Sequence, residues 1–216
     1  MIYSPERGYL FIHIPKTGGT SLAMALEARA KPGDIMAGDT PKARRRRQRL
    51  KGLPARGRLW KHSMLSDLDG WLGTDDLDAL VVFTLVRNPW DRMVSYYHWL
   101  RAQSFEHEAV TLAKSLDFGA FLAHPHTAAS LAAADYAGYV TDAEGRERCS
   151  FFIRLEHFVE DVAPLEAHLG FRVHLPHENR SDRPADYRTA YSDAESERVA
   201  KLCATDIARF GYRFDG

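Results

Sequence analysis

Residues 10–21 have the sequence LFIHIPKTGGTS, and this stretch decides the fold. Its first five residues are mostly apolar and predict a short buried strand, which Pro15 ends. An apolar-periodic segment with Leu22 and Leu26 follows and predicts a helix. The stretch therefore predicts a strand, a glycine-containing loop and a helix in direct succession.

The predicted loop is suited to bind an anion. Gly18 and Gly19 let successive N–H groups converge on one point, and the positive end of the helix dipole adds to them. Lys16 supplies a mobile positive charge. Three further residues supply hydroxyl donors: Thr17, Thr20 and Ser21. The common nucleotide loop needs Gly-Lys before Ser or Thr, but Gly-Lys occurs nowhere in this chain, so the sequence predicts a phosphate or sulfate site of another type.

Length and composition set the expected architecture. The chain has 216 residues, of which 45% are apolar, enough for one sizeable core. We therefore expect a single α/β domain over residues 1–216, with a central, mainly parallel sheet flanked by helices. The continuous apolar run Leu80–Val86 predicts a central strand of this sheet.

A second motif follows the strand Leu80–Val86. Arg87 stands at the strand end, and the Asn-Pro pair after it predicts a helix over 89–103. Ser95 lies about two turns into this helix, off its apolar stripe, so Ser95 and Arg87 could bind one phosphate from different directions. Taken alone, Arg87 would form a strand-end ion pair with Asp91.

The remaining elements are predicted from periodicity and turn residues. We expect a short strand to begin at Leu59 and strands over 136–140 and 150–155, helices over 64–72, 157–169 and 193–209, and two or three short helices in 104–134.

Together the two motifs resemble those of sulfotransferases that use 3′-phosphoadenosine 5′-phosphosulfate (PAPS). In that family, PKTGGTS after an N-terminal strand is the 5′-phosphosulfate loop, and a strand-end arginine with a serine eight residues on binds the 3′-phosphate. The resemblance spans most of the chain and implies the P-loop-NTPase-like sulfotransferase fold. It also implies PAPS as co-substrate and adenosine 3′,5′-bisphosphate (PAP) as product. It assigns these residues to PAPS: Lys16, Thr17, Gly18, Gly19, Thr20, Ser21, Arg87, Ser95 and, in the stretch HENRS, Arg180.

The resemblance also implies which residues act in catalysis. Sulfuryl transfer to a hydroxyl or amine builds negative charge on the bridging oxygen, which Lys16 would stabilise. His62, in WKHS, lies where several relatives place a catalytic histidine, and an imidazole suits the removal of the acceptor proton. Some relatives use a glutamate instead. The reaction needs no metal, and two histidine pairs are interpreted as loop residues: His124 with His126, and His174 with His177.

The acceptor is not encoded in any motif that we can translate. The formal net charge of zero hides a basic run, Lys42–Lys61, which contains ten Lys or Arg and no acid. We expect a solvated helix or a flexible flap here. It would attract an anionic acceptor, such as a carbohydrate or a lipid on a membrane surface, or be balanced by the aspartates at 67–78. Residues 104–148 are expected to form a helical insertion on the acceptor side.

Two other classes of function stay open. A small-molecule kinase with an atypical phosphate loop would leave Arg87 and Ser95 unexplained. A non-catalytic nucleotide or nucleic-acid binder could use the basic run, but only Trp60 would stack on bases and the chain is neutral overall, so no nucleic acid is expected.

Cysteine use and hydropathy bear on the compartment. Cys149 and Cys203 fit no metal or redox motif and suit free thiols in a reducing compartment. No apolar run reaches the length of a membrane span. We expect a cytoplasmic protein, for which peripheral contact with a membrane stays open.

Overall fold

The structure, a computed structural model, describes residues 1–133, 135–176 and 185–215. Contacts divide the described residues into two compact units. The first unit contains residues 1–86 and 136–176, and the second contains 87–133, 135 and 185–215. Arg180 and the rest of HENRS lie outside the described residues. No helix in these ranges is both long and apolar enough to cross a membrane.

A five-stranded sheet forms the centre of the first unit. The strands are β1 (Ile2–Ser4), β2 (Tyr9–Ile12), β3 (Ile35–Met36), β4 (Val81–Val86) and β5 (Phe151–Arg154), in the spatial order β3-β1-β2-β4-β5. β2, β4 and β5 pair in parallel, whereas β1 is antiparallel to both β2 and β3. Only β1 therefore runs against the other strands, which confirms the predicted α/β class with a mainly parallel central sheet.

Short helices make up most of the remaining structure. Numbered along the chain, they are α1 (Gly19–Ala28), α2 (Pro41–Arg46), α3 (Thr74–Asp78), α4 (Pro89–Arg101), α5 (Glu108–Ser115), α6 (Phe118–Ala123), α7 (Pro125–Ala132), α8 (Tyr136–Tyr139), α9 (Phe158–Asp161), α10 (Ala163–Leu169), α11 (Asp193–Leu202) and α12 (Ala204–Phe210). Single 3₁₀ turns occur at Pro5–Arg7, Arg47–Leu50, Leu65–Leu68, Leu155–His157 and Tyr187–Ala190.

The first unit has its core where α1 covers the sheet. Phe11 of β2 lies opposite Phe83 of β4, and their ring centroids are 5.4 Å apart. Leu22 and Leu26 of α1 are buried in the same cluster. Each such side chain contributes about 1.5–3 kcal/mol through its removal from water. This packing holds the strand before the loop and the helix after it in fixed positions.

The second unit is helical and has a core of its own. Trp90 and Tyr97 of α4 pack with Phe121 of α6 and Val199 of α11. The three short helices α5, α6 and α7 confirm the prediction for residues 104–134. The predicted helix over 89–103 is confirmed as α4, and Asn88 caps it by accepting a hydrogen bond from the Trp90 N–H at 3.1 Å.

Several predicted elements differ from the structure. In place of the strand predicted over 136–140, Tyr136–Tyr139 form helix α8, because Tyr136 and Tyr139 are both buried at helical spacing. Leu59 begins no strand, and the predicted helix over 64–72 is only a 3₁₀ turn. The segments 157–169 and 193–209, each predicted as one helix, each contain two helices: α9 and α10 in the first, α11 and α12 in the second.

Candidate active site

The glycine pair in the loop after β2 is required by its geometry. Gly18 has a φ of 87°, and a Cβ added there would lie 2.9 Å from Cδ1 of Leu155. A Cβ on Gly19 would lie 2.2 Å from Cδ2 of His13. Side chains are therefore excluded at both positions, the first by conformation and space and the second by the buried imidazole beneath it.

Lys16 is the one residue other than glycine with a positive φ, 66°, among the residues that the structure describes. A left-handed conformation of a residue with a Cβ costs about 1–3 kcal/mol and persists where the surrounding structure imposes it. Such strain is concentrated at functional sites. This conformation makes Lys16 a candidate functional residue.

The loop hydroxyls differ in their surroundings. Thr17 is fully buried, and its Oγ1 donates a hydrogen bond to the carbonyl oxygen of Ile14 at 2.9 Å. This hydroxyl proton is therefore used inside the loop, so that Thr17 can contribute to anion binding only through its backbone. Thr20 and Ser21 lie in the first turn of α1, where the positive end of the helix dipole is.

His62 lies against the buried histidine beneath the loop. The ring centroids of His62 and His13 are 4.6 Å apart, and Nδ1 of His62 lies 2.8 Å from the carbonyl oxygen of His13. Since that oxygen can only accept, Nδ1 carries the proton and Nε2 of the neutral ring has the lone pair. The fold thus connects Gly19 of the loop to His62 through His13.

Both histidines are held neutral by their surroundings. Burial lowers the pKa of His62 to about 4, and Lys61 lowers this pKa too, although the hydrogen bond to His13 opposes the shift. Burial, with His62 as the next cause, lowers the pKa of His13 well below its ordinary value. At pH 7 the Nε2 lone pair of His62 is therefore present in nearly every molecule.

The turn that contains WKHS is fixed by Ser63. Its Oγ donates to the carbonyl oxygen of Arg58 at 2.9 Å and accepts a hydrogen bond from the Trp60 N–H at 2.8 Å. The Trp60 ring, half exposed, meets the His62 ring edge-on with centroids 5.1 Å apart. A path of ring contacts therefore leads from the loop to the surface of the first unit.

The second unit contains the other motif. Nε of Arg87 donates to Oδ2 of Asp91 at 2.8 Å, and both side chains are largely buried. The ion pair that the sequence left open is thus present, and it holds the guanidinium in one orientation. Ser95, predicted to point away from the buried stripe of α4, is itself buried. Other helices of the second unit, among them α5 and α11, pack against α4. The buried surface of α4 is therefore wider than the single apolar stripe that the sequence predicts.

Two residues that the sequence did not assign support these motifs. Asn88 not only caps α4 but also donates from Nδ2 to the carbonyl oxygen of Arg213 at 3.0 Å and to the Tyr187 hydroxyl at 3.3 Å. His13 packs between Phe11 and His62. A histidine within an otherwise apolar strand was the available signal for the second residue, and the Asn-Pro helix start was the signal for the first.

Part of the basic run forms helix α2, which packs into the core of the first unit. Ala43 of α2 is buried in the main core. Three cations of the run donate to carbonyl groups at or after the C-terminal end of α1: Lys42 to Glu27, Arg46 to Lys31 and Asp34, and Arg49 to Pro32 and Asp34. Lys42 thus binds a carbonyl group in the last turn of α1, where partial negative charge gathers, and the two arginines hold the segment that follows the helix.

The described parts of the chain contain no group of three or more His, Cys, Asp or Glu placed to hold a metal ion. His126 instead pairs with Glu108 at 3.1 Å, and Nδ1 of His124 accepts a hydrogen bond from the His126 N–H.

Comparison with known proteins places the chain in a family. The sequence model of the sulfotransferase family matches residues 1–213. Among solved structures, the mouse sulfotransferase SULT7A1 complexed with PAP is similar, with a TM-score of 0.54 and 17% sequence identity; the match covers 95% of this chain and 86% of that chain. At this identity the likeness shows the fold. No curated protein sequence matches the chain. Because the family match spans nearly the whole chain, including both motifs, the protein belongs to the sulfotransferase family.

Proposed function

We propose that the protein transfers a sulfuryl group from PAPS to a hydroxyl or amine of an acceptor by in-line displacement, with residues 1–216 acting as one sulfotransferase domain. The observation that carries the proposal is the loop after β2. There the backbone of Lys16 is in the left-handed region, and the glycine pair leads into the first turn of α1. This arrangement, with the PKTGGTS sequence of the family, is suited to bind an anion. The comparisons give no support to a kinase or to a nucleic-acid binder.

The loop would hold the 5′-phosphosulfate. Its hydrogen-bond donors are the backbone of residues 16–20 and the hydroxyls of Thr20 and Ser21. When bound, PAPS supplies the sulfuryl group, and the electron pair of the broken sulfur–oxygen bond stays on the phosphate. The ammonium of Lys16 would stabilise that growing charge. This accounts for a lysine at a position whose φ disfavours any residue but glycine.

His62 would remove the proton of the acceptor. Its Nδ1 is occupied by the His13 carbonyl oxygen, so Nε2 is the atom that accepts the proton. With a pKa of about 4 in the free protein, Nε2 is a weak base. A bound anion nearby favours the protonated imidazole and raises this pKa, so that binding of the co-substrate would strengthen the base.

The 3′-phosphate is assigned to Arg87 and Ser95 by their spacing in the sequence. The guanidinium provides charge-assisted donors, and Asp91 orients it. Arg180, whose position is not described, is assigned to PAPS by the family resemblance alone. We also retain residues 104–148 as the acceptor-side segment and the cytoplasm as the compartment; for the latter, the supporting observation is that Cys149 and Cys203 are not joined in a disulfide.

Incubation with sulfur-labelled PAPS and a panel of alcohols, phenols, amines and sugars tests the proposal. We expect label to move to at least one acceptor with release of an equal amount of PAP. Lys16→Ala should abolish both. Transfer of phosphate from labelled ATP, with no sulfuryl transfer from PAPS, would contradict the proposed reaction and favour a kinase.

A further inference from the structure

We propose that the outward face of α2, together with Trp60, is the docking surface for a soluble acceptor whose non-reacting part carries several negative charges. This inference rests on the proposed function, because it names the class of acceptor. The cations of the basic run form two groups. Some hold α2 in place through hydrogen bonds, and the others face water.

The outward cations are Arg44 and Arg45 of α2, together with Arg47 and Lys51 in and just after the 3₁₀ turn that continues it, which we count with the outward face of α2; all four are exposed. Within the described ranges no carboxylate forms an ion pair with any of them. Arg44 and Arg47 are three positions apart and so lie on the same side of one turn. Several like charges within about one Debye length of each other attract an anion with more than one charge.

The aspartates at 67–78 do not balance these cations. Among the described residues, Asp69 is the only one of the aspartates at 67–78 that forms an ion pair with a cation of the run, Arg56, at 2.7 Å. Three of the others have different partners: Asp67 accepts from the Met64 N–H, Asp76 accepts from the Gly73 N–H, and Asp78 pairs with Arg148. The outward cations are therefore not held in ion pairs with these aspartates.

The basic surface is joined to the proposed base. Lys61 pairs with Asp39 at 3.5 Å, and Asp39 precedes the Thr40 N-cap of α2. This ion pair ties the WKHS turn to the beginning of α2. Trp60, 42% exposed, contacts the His62 ring. An acceptor bound by the arginines and resting on Trp60 would therefore have its reacting group close to His62.

The observations favour a soluble anion over a membrane surface. Surfaces that bind bilayers combine cations with apolar side chains that enter the lipid. The outward face of α2 has no such side chain. The Trp60 ring is held in place by the Arg58 guanidinium, 5.3 Å from its centroid, and by the His62 ring, and 42% of Trp60 stays exposed. A fixed aromatic face beside arginines suits a small or extended soluble molecule.

Calorimetry with dextran sulfate as the probe and neutral dextran as its control tests this surface. We expect the protein to bind dextran sulfate but not neutral dextran. The affinity for dextran sulfate should be lower at about 300 mM salt than at about 50 mM. The triple variant Arg44→Gln/Arg45→Gln/Arg47→Gln should bind it at least about tenfold more weakly. Trp60→Ala should also weaken it, and the shift in melting temperature caused by PAP should be the same in all variants.

The matched control removes three paired charges instead: Arg56→Gln/Arg146→Gln/Arg188→Gln. An equal loss of binding in this control would mean general attraction only, and would overturn the proposal. So would binding through the arginines to phosphatidylcholine vesicles with about one third phosphatidylglycerol but not to dextran sulfate, since the partner would then be a membrane. Absence of a PAP shift in the unaltered protein, with dextran sulfate binding intact, would instead contradict the proposed function.

Discussion

Nδ1 of His62 lies 2.8 Å from the carbonyl oxygen of His13, and this contact decides which nitrogen of His62 is basic. The oxygen can only accept, so the proton is on Nδ1 and the lone pair is on Nε2. An asparagine at this position would place its amide near the site of Nδ1 but would have no atom near Nε2. Alanine would remove both.

His62→Asn and His62→Ala should therefore agree in activity and differ in stability. We expect each to lower kcat by about two to four orders of magnitude because the proton acceptor is lost. His62→Asn should be more stable than His62→Ala by about 1 kcal/mol because its amide keeps the hydrogen bond to His13. Steady-state kinetics and urea denaturation measure the two effects, and PAP affinity serves as the control. A fully active His62→Ala would move the base to a carboxylate.

The buried histidines should make folding stability depend on pH. The folded-state pKa of His62 is lowered from 6.5 to about 4, and that of His13 is lowered as well. Between pH 4 and 6.5 the unfolded chain therefore binds more protons than the folded protein. The free energy of unfolding should rise with pH across this window and level off above it, by at most about 3 kcal/mol for His62.

Urea denaturation at a series of pH values measures this dependence. His62→Asn should flatten the slope, whereas substitution of the half-exposed His157 by Asn should leave it unchanged. A slope that is the same in all three proteins would show that His62 is not held neutral by burial.

The strained backbone of Lys16 allows its proposed catalytic role to be tested separately from its structural one. Lys16→Gly and Lys16→Ala both remove the ammonium group, and each should lower kcat by about two to four orders of magnitude. Only glycine adopts the positive φ of 66° without steric strain, so the Lys16→Gly protein should be more stable than the Lys16→Ala protein by about 1 kcal/mol. Thermal denaturation with kinetics tests both parts, and equal stability of the two variants would show that no strain is stored there.

Much of the site could be predicted from the sequence because local chemistry determines it. The loop needs glycine at two adjacent positions, and the Asn-Pro pair both caps and begins α4. The strands before the two motifs, β2 and β4, are mostly apolar and almost fully buried, as expected for strands that are covered on both faces. These features depend on neighbours in the chain, which the sequence displays directly.

The features that could not be predicted depend on distant parts of the chain. The contact of His62 with His13 joins residues 49 positions apart, and no local pattern distinguishes His62 from other histidines. Ser95 lies off the apolar stripe of α4, yet it is buried in the folded chain. The division of the basic run into docked and outward arginines depends on the carbonyl groups that follow α1. Periodicity cannot report such contacts, because they form only when the elements pack.

The use of PAPS is tested most directly by calorimetric titration with PAP and with AMP, which lacks the 3′-phosphate. We expect PAP to bind more tightly than AMP. Arg87→Ala should reduce PAP affinity by about 30- to 150-fold, or about 2–3 kcal/mol, and leave AMP affinity unchanged. Arg101→Ala, at the other end of the same helix, is the control. Equal affinity of the unaltered protein for PAP and AMP would contradict the assignment of PAPS as its co-substrate.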